Sequence, residues 1–204
     1  WTQFVANLCS DPEVDQRESL HFAGPHFDES VDLDEAERRN LHNTIFYYHS
    51  LKCSLSYHLG EYEKARDHAQ RAAPFARLSA SHFNIHLPVY YQSLTLLQLD
   101  NGDCVQCEQL DAHIDTLRLW SEHAPMNYAH RLDLVLAERA RVLNDRATAM
   151  DHYERAIAGA VKNRFVQDEA LANELYGRFW LARGNQEIAQ LYLAKAHALY
   201  RRWG

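Results

Sequence analysis

Residues 168–204 read DEALANELYGRFWLARGNQEIAQLYLAKAHALYRRWG, and this stretch decides the fold. Apolar side chains recur at helical spacing both before and after Gly184-Asn185, which predicts two helices joined by a turn. Glycine and asparagine are typical of helix ends, because both residues adopt the left-handed backbone conformation at low cost. Small side chains stand where two antiparallel helices would approach most closely, at Gly177, Ala189 and Ala196. The stretch therefore predicts a helical hairpin.

The same pattern occurs three more times at nearly even spacing. The four predicted turns are Gly60, Gly102-Asp103, Asn144-Asp145 and Gly184-Asn185, which are 42, 42 and 40 residues apart. Three positions at fixed distances from each turn carry small side chains in every repeat, except at Ile114. One hairpin cannot bury both of its apolar faces, so the recurrence predicts stacked hairpins of the tetratricopeptide (TPR) type. A simpler interpretation, in which glycine and asparagine only mark helix ends, does not explain the even spacing.

The predicted fold is all-α: a TPR-like right-handed superhelix of four antiparallel helical hairpins within a repeat domain over residues 33–204. The hairpins span about residues 33–79, 83–123, 127–162 and 168–203. Residues 1–32 are predicted to be an irregular acidic segment with room for one short helix. The acidic run that ends this segment is interpreted as the solvated start of a helix over residues 33–58, with Asp34 and Glu37 spaced as a capping box.

The formal charge of −7 is unevenly placed along the chain. Residues 1–40 hold ten acidic and three basic side chains, whereas residues 41–204 hold eighteen of each. Because no basic stripe is present, we expect no nucleic-acid partner. No apolar run is long enough to span a membrane and no signal peptide opens the sequence, so we expect a cytoplasmic protein without a membrane partner. The first residue is Trp1 rather than Met, which indicates an excerpt from a longer protein.

Two pairs of side chains have the spacing of chemical sites. Cys104 and Cys107 are spaced as a redox or zinc pair, but Cys107 also fills a small-residue position of the repeat, which favours a structural thiol. His82 and His86 lie four residues apart, yet Phe83 stands where the metalloprotease pattern has glutamate. The sequence contains no phosphate-binding loop, nucleophile elbow or kinase catalytic motif. We therefore expect no catalytic residue, metal or cofactor in this segment.

Helix periodicity predicts which side chains line the groove of such a superhelix. On the first helix of each hairpin, the face turned away from the partner helix carries the candidates Tyr57, Arg131, Glu138, Arg141, Glu174 and Arg178. Glu174 and Arg178 form an i,i+4 pair, and Glu138 is placed to reach Arg141 or Arg178. A charged row with apolar edges fits a peptide or another protein segment. The same charges also fit internal salt bridges between adjacent repeats, and the sequence leaves both readings open.

Several runs within residues 122–204 carry a family resemblance. They are HAPMNYAHR at 123–131, LVLAERAR at 134–141, YERAI at 153–157, EALANEL at 169–175 and FWLARG at 179–184. These runs resemble the helical region of very large multidomain signalling kinases. In that family a serine/threonine-kinase-like module and an AAA-type (STAND-like) ATPase precede the helical region, and a GAF sensor domain and often a histidine kinase follow it. Two positions depart from the pattern of that family. Asn144 stands where the family usually has glycine, and Tyr176-Gly177 stands where it usually has two small residues.

The resemblance implies a function for the segment. It implies a non-catalytic scaffold for signal transduction, which mediates protein–protein or interdomain contacts between the ATPase module and the GAF and histidine-kinase output. The expected partners are a protein, a peptide or neighbouring domains of the same chain. Two other classes stay open: a stand-alone TPR-like adaptor that binds peptides, and an enzyme that uses the histidine or cysteine pairs.

Overall fold

The computed structural model describes residues 21–24, 26–76, 78, 86–99 and 107–203. Within these ranges the chain forms helices and turns and contains no strand, which confirms the all-α prediction. The chain divides into two compact units, Trp1–Leu99 and Asp100–Gly204, which we call unit 1 and unit 2. The predicted turn at Gly102-Asp103 lies outside the described residues.

Nine α-helices occur in the described ranges. They are α1 (Asp34–Arg38), α2 (His42–His58), α3 (Tyr62–Ala72), α4 (His86–Leu99), α5 (Glu108–His123), α6 (Pro125–Val142), α7 (Arg146–Asn163), α8 (Val166–Leu181) and α9 (Gln186–Trp203). A π-helical turn, Glu29–Leu33, precedes α1, and a 3-10 turn, Ala73–Phe75, follows α3. The predicted hairpins 127–162 and 168–203 correspond to the pairs α6–α7 and α8–α9, each of which begins two residues earlier.

Five helix ends in the described part of the chain close in the same way. At each one a residue with φ between 52° and 76° is followed by an amide that bonds to the carbonyl five residues earlier, at 2.8–3.1 Å. This is the Schellman motif. The left-handed residues are Asn40, Gly60, Asn144, Arg164 and Gly184. Gly60, Asn144 and Gly184 are predicted turn residues, whereas Arg164 adopts a conformation that costs a non-glycine residue roughly 1–2 kcal/mol.

The predicted single helix over residues 33–58 is wrong. The chain closes α1 at Asn40, where the Leu41 amide bonds to the Ala36 carbonyl at 2.8 Å, and α2 then begins at His42. The predicted capping box is also wrong. Asp34 lies inside the helix that follows the π-helical turn, and the carboxylate that caps this turn is Asp28, which accepts from the Ser30 amide at 2.9 Å.

In unit 1, α2 and α3 pack as an antiparallel pair and α4 packs against both. Twelve of the 17 residues of α2 are buried, so α2 is the central helix of the unit. Small side chains let α3 approach it closely. They are Cys53 on α2 and Ala65, Ala69 and Ala72 on α3, all at most 1% exposed. Three of these four, at 53, 65 and 72, are small-residue positions of the predicted repeat.

In unit 2, α6 pairs with α7 and α8 pairs with α9, while α5 packs on α6 and α7 packs on α8. Helix α6 also contacts α8. A layer of aromatic rings fills the centre, and its members are Tyr153, Tyr176, Phe179, Trp180 and Tyr192, with centroid distances of 4.5–5.9 Å between neighbouring rings. Gly177 brings α8 and α9 together, because a Cβ atom there would lie 2.8 Å from Leu193 Cγ.

Candidate functional site

The six side chains predicted to line a groove differ widely in exposure. Tyr57 belongs to unit 1 and the other five belong to unit 2. Tyr57 is 3% exposed, and its ring centroid lies 5.4 Å from that of Tyr62 and 5.6 Å from that of Tyr91. Tyr57 is therefore part of the core of unit 1. The prediction that it contacts a partner stays a prediction.

Arg131 takes part in a buried ionic cluster that joins α6 to α8. Its Nε donates to Oδ2 of Asp168 at 2.8 Å, and Nε2 of His130 lies 2.8 Å from the same oxygen. The three residues are at most 6% exposed. Phe165, just before α8, covers the cluster: its ring stacks on His130 at 4.7 Å and lies 5.5 Å from the Arg131 guanidinium carbon.

The electrostatics of this cluster favour an ionised Asp168. Burial alone would raise the pKa of Asp168, but the Arg131 guanidinium and the hydrogen bond with His130 outweigh it and lower that pKa to about 2. The other ring nitrogen of His130, Nδ1, is buried and has no hydrogen-bond partner in the described part of the chain. Arg131 thus forms an internal ion pair between adjacent hairpins. Of the two roles that the sequence left open for this side chain, this is the internal salt bridge.

Glu138 joins α6 to α7. It is 1% exposed and accepts a short hydrogen bond from the Tyr153 hydroxyl on one carboxylate oxygen. On the other oxygen it accepts from Arg141, whose Nε lies at 2.9 Å and Nη2 at 2.8 Å. The predicted reach from Glu138 to Arg141 is therefore present. Arg141 retains 29% of its side-chain exposure, so this pair presents a cation rather than a carboxylate to solvent.

Glu174 and Arg178 form the predicted i,i+4 pair on α8. Their closest N–O distance is 2.5 Å, and the side chains are 23% and 51% exposed. Glu174 also accepts from the Tyr200 hydroxyl at 2.8 Å, which joins α8 to α9. Glu138 and Arg178 lie 40 residues apart, which is the repeat interval between the last two turns. We use the name "charge row" for Glu138, Arg141, Glu174 and Arg178.

The accessible part of the charge row can exchange its partners. An exposed ion pair contributes only about 0–1 kcal/mol to stability, because water and salt screen it. A ligand carboxylate could therefore replace Glu174 as the partner of Arg178 at little cost in stability. Arg131 differs, since uncovering its pair with Asp168 would require α6 and α8 to separate. Within the charge row, the side chains that solvent reaches are therefore Arg141, Glu174 and Arg178.

Sequence reasoning missed Asp168 and His130, and local pattern gives little that could have found them. Asp168 lies in the first turn of α8, where an acidic side chain is favoured by the helix dipole and is read as a helix-start residue. Its partner Arg131 lies 37 residues away in sequence. The one available signal is an acidic residue at the edge of a long apolar face.

The cysteine and histidine pairs are only partly described. Cys53 is buried, and burial raises the pKa of its thiol to about 12, which makes it unreactive. Cys107 is half-buried just before α5, and His86 is buried at the start of α4. Their predicted partners Cys104 and His82 lie outside the described residues. Among residues 21–24, 26–76, 78, 86–99 and 107–203, no three histidine, cysteine or acidic side chains form a metal-binding group.

A comparison of the chain with protein-family models, curated proteins and solved structures finds no match. The resemblance to signalling kinases therefore stays a prediction. None of the helices that the structure describes is both long enough and apolar enough to span a membrane.

Proposed function

We propose that this chain is a non-catalytic helical scaffold that binds another protein segment through the exposed members of its charge row. The observation that carries the proposal is the contrast within the row. Glu138 is buried and hydrogen-bonded to Tyr153 of the neighbouring helix. Arg141 and Arg178 are partly exposed to solvent, and they lie on α6 and α8, which contact each other. Such a surface has a fixed backbone and adaptable surface charges, which suits recognition of an acidic segment.

The larger architecture belongs to the same proposal. We propose that the hairpins of residues 33–204 stack as a TPR-like right-handed superhelix. Three of the five Schellman turns, at Asn144, Arg164 and Gly184, are 20 residues apart, so each unit of one helix and its turn has the same length in this part of the chain. Stacking of equal hairpins builds a continuous surface from the first helix of each hairpin, which is where the charge row stands.

The setting of the scaffold rests on the resemblance described above. We propose a cytoplasmic connector within a longer chain, between an ATPase module and a GAF and histidine-kinase output. The test is a pull-down of this segment with the ATPase module of its full-length chain, in the presence of ATP and of ADP. Unequal capture supports a role in switching, and equal capture in both nucleotide states counts against it.

The charge row itself is tested by charge reversal. Arg141→Glu with Arg178→Glu should weaken binding of a fluorescein-labelled peptide of alternating glutamate and leucine at least tenfold in fluorescence anisotropy. Arg71→Glu with Arg118→Glu is the matched control, because both arginines are also exposed, by 61% and 51%, and each pairs within its own helix. Equal loss of affinity in the control would show that only net charge matters. Circular dichroism checks that both variants keep their helix content.

A stand-alone peptide-binding adaptor is the second candidate. The same exposed charges favour it, since they require no neighbouring domain. The two candidates separate in one measurement. An adaptor binds its acidic peptide with the same affinity whether or not the neighbouring domains are attached, whereas a connector loses that affinity when those domains cover the charge row.

A further inference from the structure

Residues 21–24 and 26–33, which precede α1, pack against the central helix of unit 1. Phe22 is 3% exposed and is buried against Tyr48, Leu51 and Leu55 of α2. Phe27 and Leu33 pack more peripherally on the same cluster, together with Leu59 and Leu87. We call residues 21–24 and 26–33 the strap, and we call Tyr48, Leu51, Lys52 and Leu55 the α2 face. The acidic run within residues 28–35 was predicted to be solvated, and for Glu29, whose side chain is 16% exposed, that prediction is wrong.

The carboxylate of Glu29 bonds both to α2 and within the strap, where its Oε1 lies 2.5 Å from Nδ1 of His21. Oε2 of Glu29 accepts from Lys52 Nζ at 2.8 Å and from the Tyr48 hydroxyl at 3.0 Å. The same oxygen accepts from the Phe22 amide at 3.1 Å, and the Glu29 amide donates to the Phe22 carbonyl at 2.8 Å. These bonds close the strap into a loop. The loop therefore presents one aromatic ring and one carboxylate side by side.

The α2 face is built to receive both groups. Lys52 is 5% exposed, and its ammonium lies 5.0 Å from the Phe22 ring centroid and 5.6 Å from that of Tyr48. Burial alone would raise the pKa of Glu29, but the hydrogen bonds from Lys52 and the Phe22 amide outweigh burial and lower that pKa. Glu29 is therefore ionised at neutral pH. The ammonium is thus matched by a ring face and a carboxylate.

A lysine is a costly residue at the centre of an apolar contact. A buried ion pair contributes little net stability compared with an apolar pair of the same size, but it rejects an occupant that lacks the complementary charge. If the strap leaves, the Lys52 ammonium becomes hydrated, and the α2 face becomes an amphipathic surface that carries one charge among apolar side chains. The contact thus combines a small apolar cluster with one buried ion pair between Lys52 and Glu29.

We propose that the α2 face is a docking site for an acidic segment of a partner protein that carries one aromatic residue and one carboxylate, and that the strap occupies this site in cis. A tethered segment has an effective concentration on the order of millimolar, so a partner must exceed this threshold to displace it. The strap therefore acts as a built-in competitor. This proposal uses no residue of the charge row. The docking site can therefore be refuted while the proposed function stands, and the proposed function can be refuted while the docking site stands.

The test uses a synthetic, ¹³C-labelled and fluorescein-labelled peptide with the sequence of residues 21–33. Fluorescence anisotropy measures its binding to the unmodified chain and to a Phe22→Ala, Glu29→Gln variant, whose own strap is weakened. The variant should bind the peptide at least tenfold more tightly. A peptide that carries the same two changes should not bind either chain measurably. Equal affinity of the unmodified peptide for both chains overturns the proposal.

The lysine is tested in the strap-weakened background. Lys52→Gln should lower the affinity for the peptide at least tenfold, whereas Lys64→Gln should leave it unchanged. Lys64 is the matched control because it lies on α3 of the same unit, 50% exposed and paired with Glu61. An unchanged affinity in the Lys52→Gln variant overturns the proposal. So does loss of helical circular dichroism in the strap-weakened variant, since the strap would then be part of the folding core.

A second measurement needs no variant. Hydrogen–deuterium exchange of the unmodified chain, read by mass spectrometry, should become faster at the amides of Phe22 and Glu29 when the ¹³C peptide is in large excess. The isotope separates fragments of the ligand from those of the strap. Unchanged exchange at saturating peptide overturns the proposal. A concentration-dependent dimer that Phe22→Ala abolishes would assign the face to a second copy of the chain and would also overturn it.

Discussion

Replacing Asp168 by asparagine removes the anion from the buried cluster that joins α6 to α8. The Arg131 guanidinium then keeps its charge in a site where its side chain is 8% exposed. Breaking a buried pair in this way typically costs about 3–5 kcal/mol, because an uncompensated charge stays buried. The pKa gives a second estimate: a carboxyl that falls from its ordinary 3.8 to about 2 on folding contributes on the order of 2 kcal/mol at neutral pH. We expect a loss of roughly 2–4 kcal/mol.

Urea unfolding followed by tryptophan fluorescence is the appropriate assay. Three of the four tryptophans, Trp120, Trp180 and Trp203, belong to unit 2, so the signal reports mainly on the unit that carries Asp168. Asp111→Asn is the matched control. Asp111 also bonds an arginine across two helices, Arg139 at 2.8 Å, but it is 50% exposed and its loss should cost about 0–1 kcal/mol.

The pH dependence separates this mechanism from a general packing defect. The pKa of Asp168 is lowered on folding, so its contribution is complete above the unfolded pKa near 4 and is lost as the pH falls toward 2. The stability difference between the unmodified chain and Asp168→Asn should therefore shrink over that range. A cost no larger than that of Asp111→Asn, or a difference that does not change between pH 5 and pH 2, refutes the reasoning.

Two further substitutions test the turns and the helix contacts by the same unfolding assay. Arg164→Gly should stabilise unit 2 by roughly 0.5–1 kcal/mol, because relief of the left-handed backbone outweighs the added entropy of the unfolded chain; a loss of stability would show that the arginine side chain has a role of its own. Gly177→Ala should destabilise it by about 1 kcal/mol, since crowding against Leu193 outweighs the better helix propensity of alanine; a gain in stability would show that α9 can move away without cost.

Local chemistry explains which parts of the fold were predictable. Gly60, Asn144 and Gly184 mark turns because the residue itself lowers the cost of the left-handed backbone, and this information lies in one position of the sequence. Asn40 carries the same signal, but the apolar periodicity on both sides of it favoured a continuous helix. Arg164 carries the opposite signal. Its turn joins α7 to α8, which pack together, and no local pattern in the sequence records that contact.

The candidate site was less predictable than the turns. Helix periodicity shows which side chains share one face of a helix, but it does not show which residues of other helices bury that face. Arg131 and Glu138 were placed on the correct helix, but their burial depends on Asp168 and Tyr153, which come from other helices. The Glu174 and Arg178 pair was predictable, since an i,i+4 pair needs only one helix. The strap shows the same limit, because acidic composition suggests solvent exposure until Lys52 is brought beside Glu29 by the fold.

Unit 2 combines two kinds of helix contact with different consequences. Its aromatic and small-residue contacts depend on the shapes of the side chains and carry no hydrogen-bond direction. Its polar contacts are directional and allow one register. They join α5 to α6, α6 to α7, α6 to α8 and α8 to α9, through Asp111–Arg139, Glu138–Tyr153, Arg131–Asp168 and Glu174–Tyr200. Because the charge row spans α6 and α8, the spacing between Arg141 and Arg178 depends on this register. The buried ion pair thus fixes where the exposed charges stand as well as contributing to the stability of the unit.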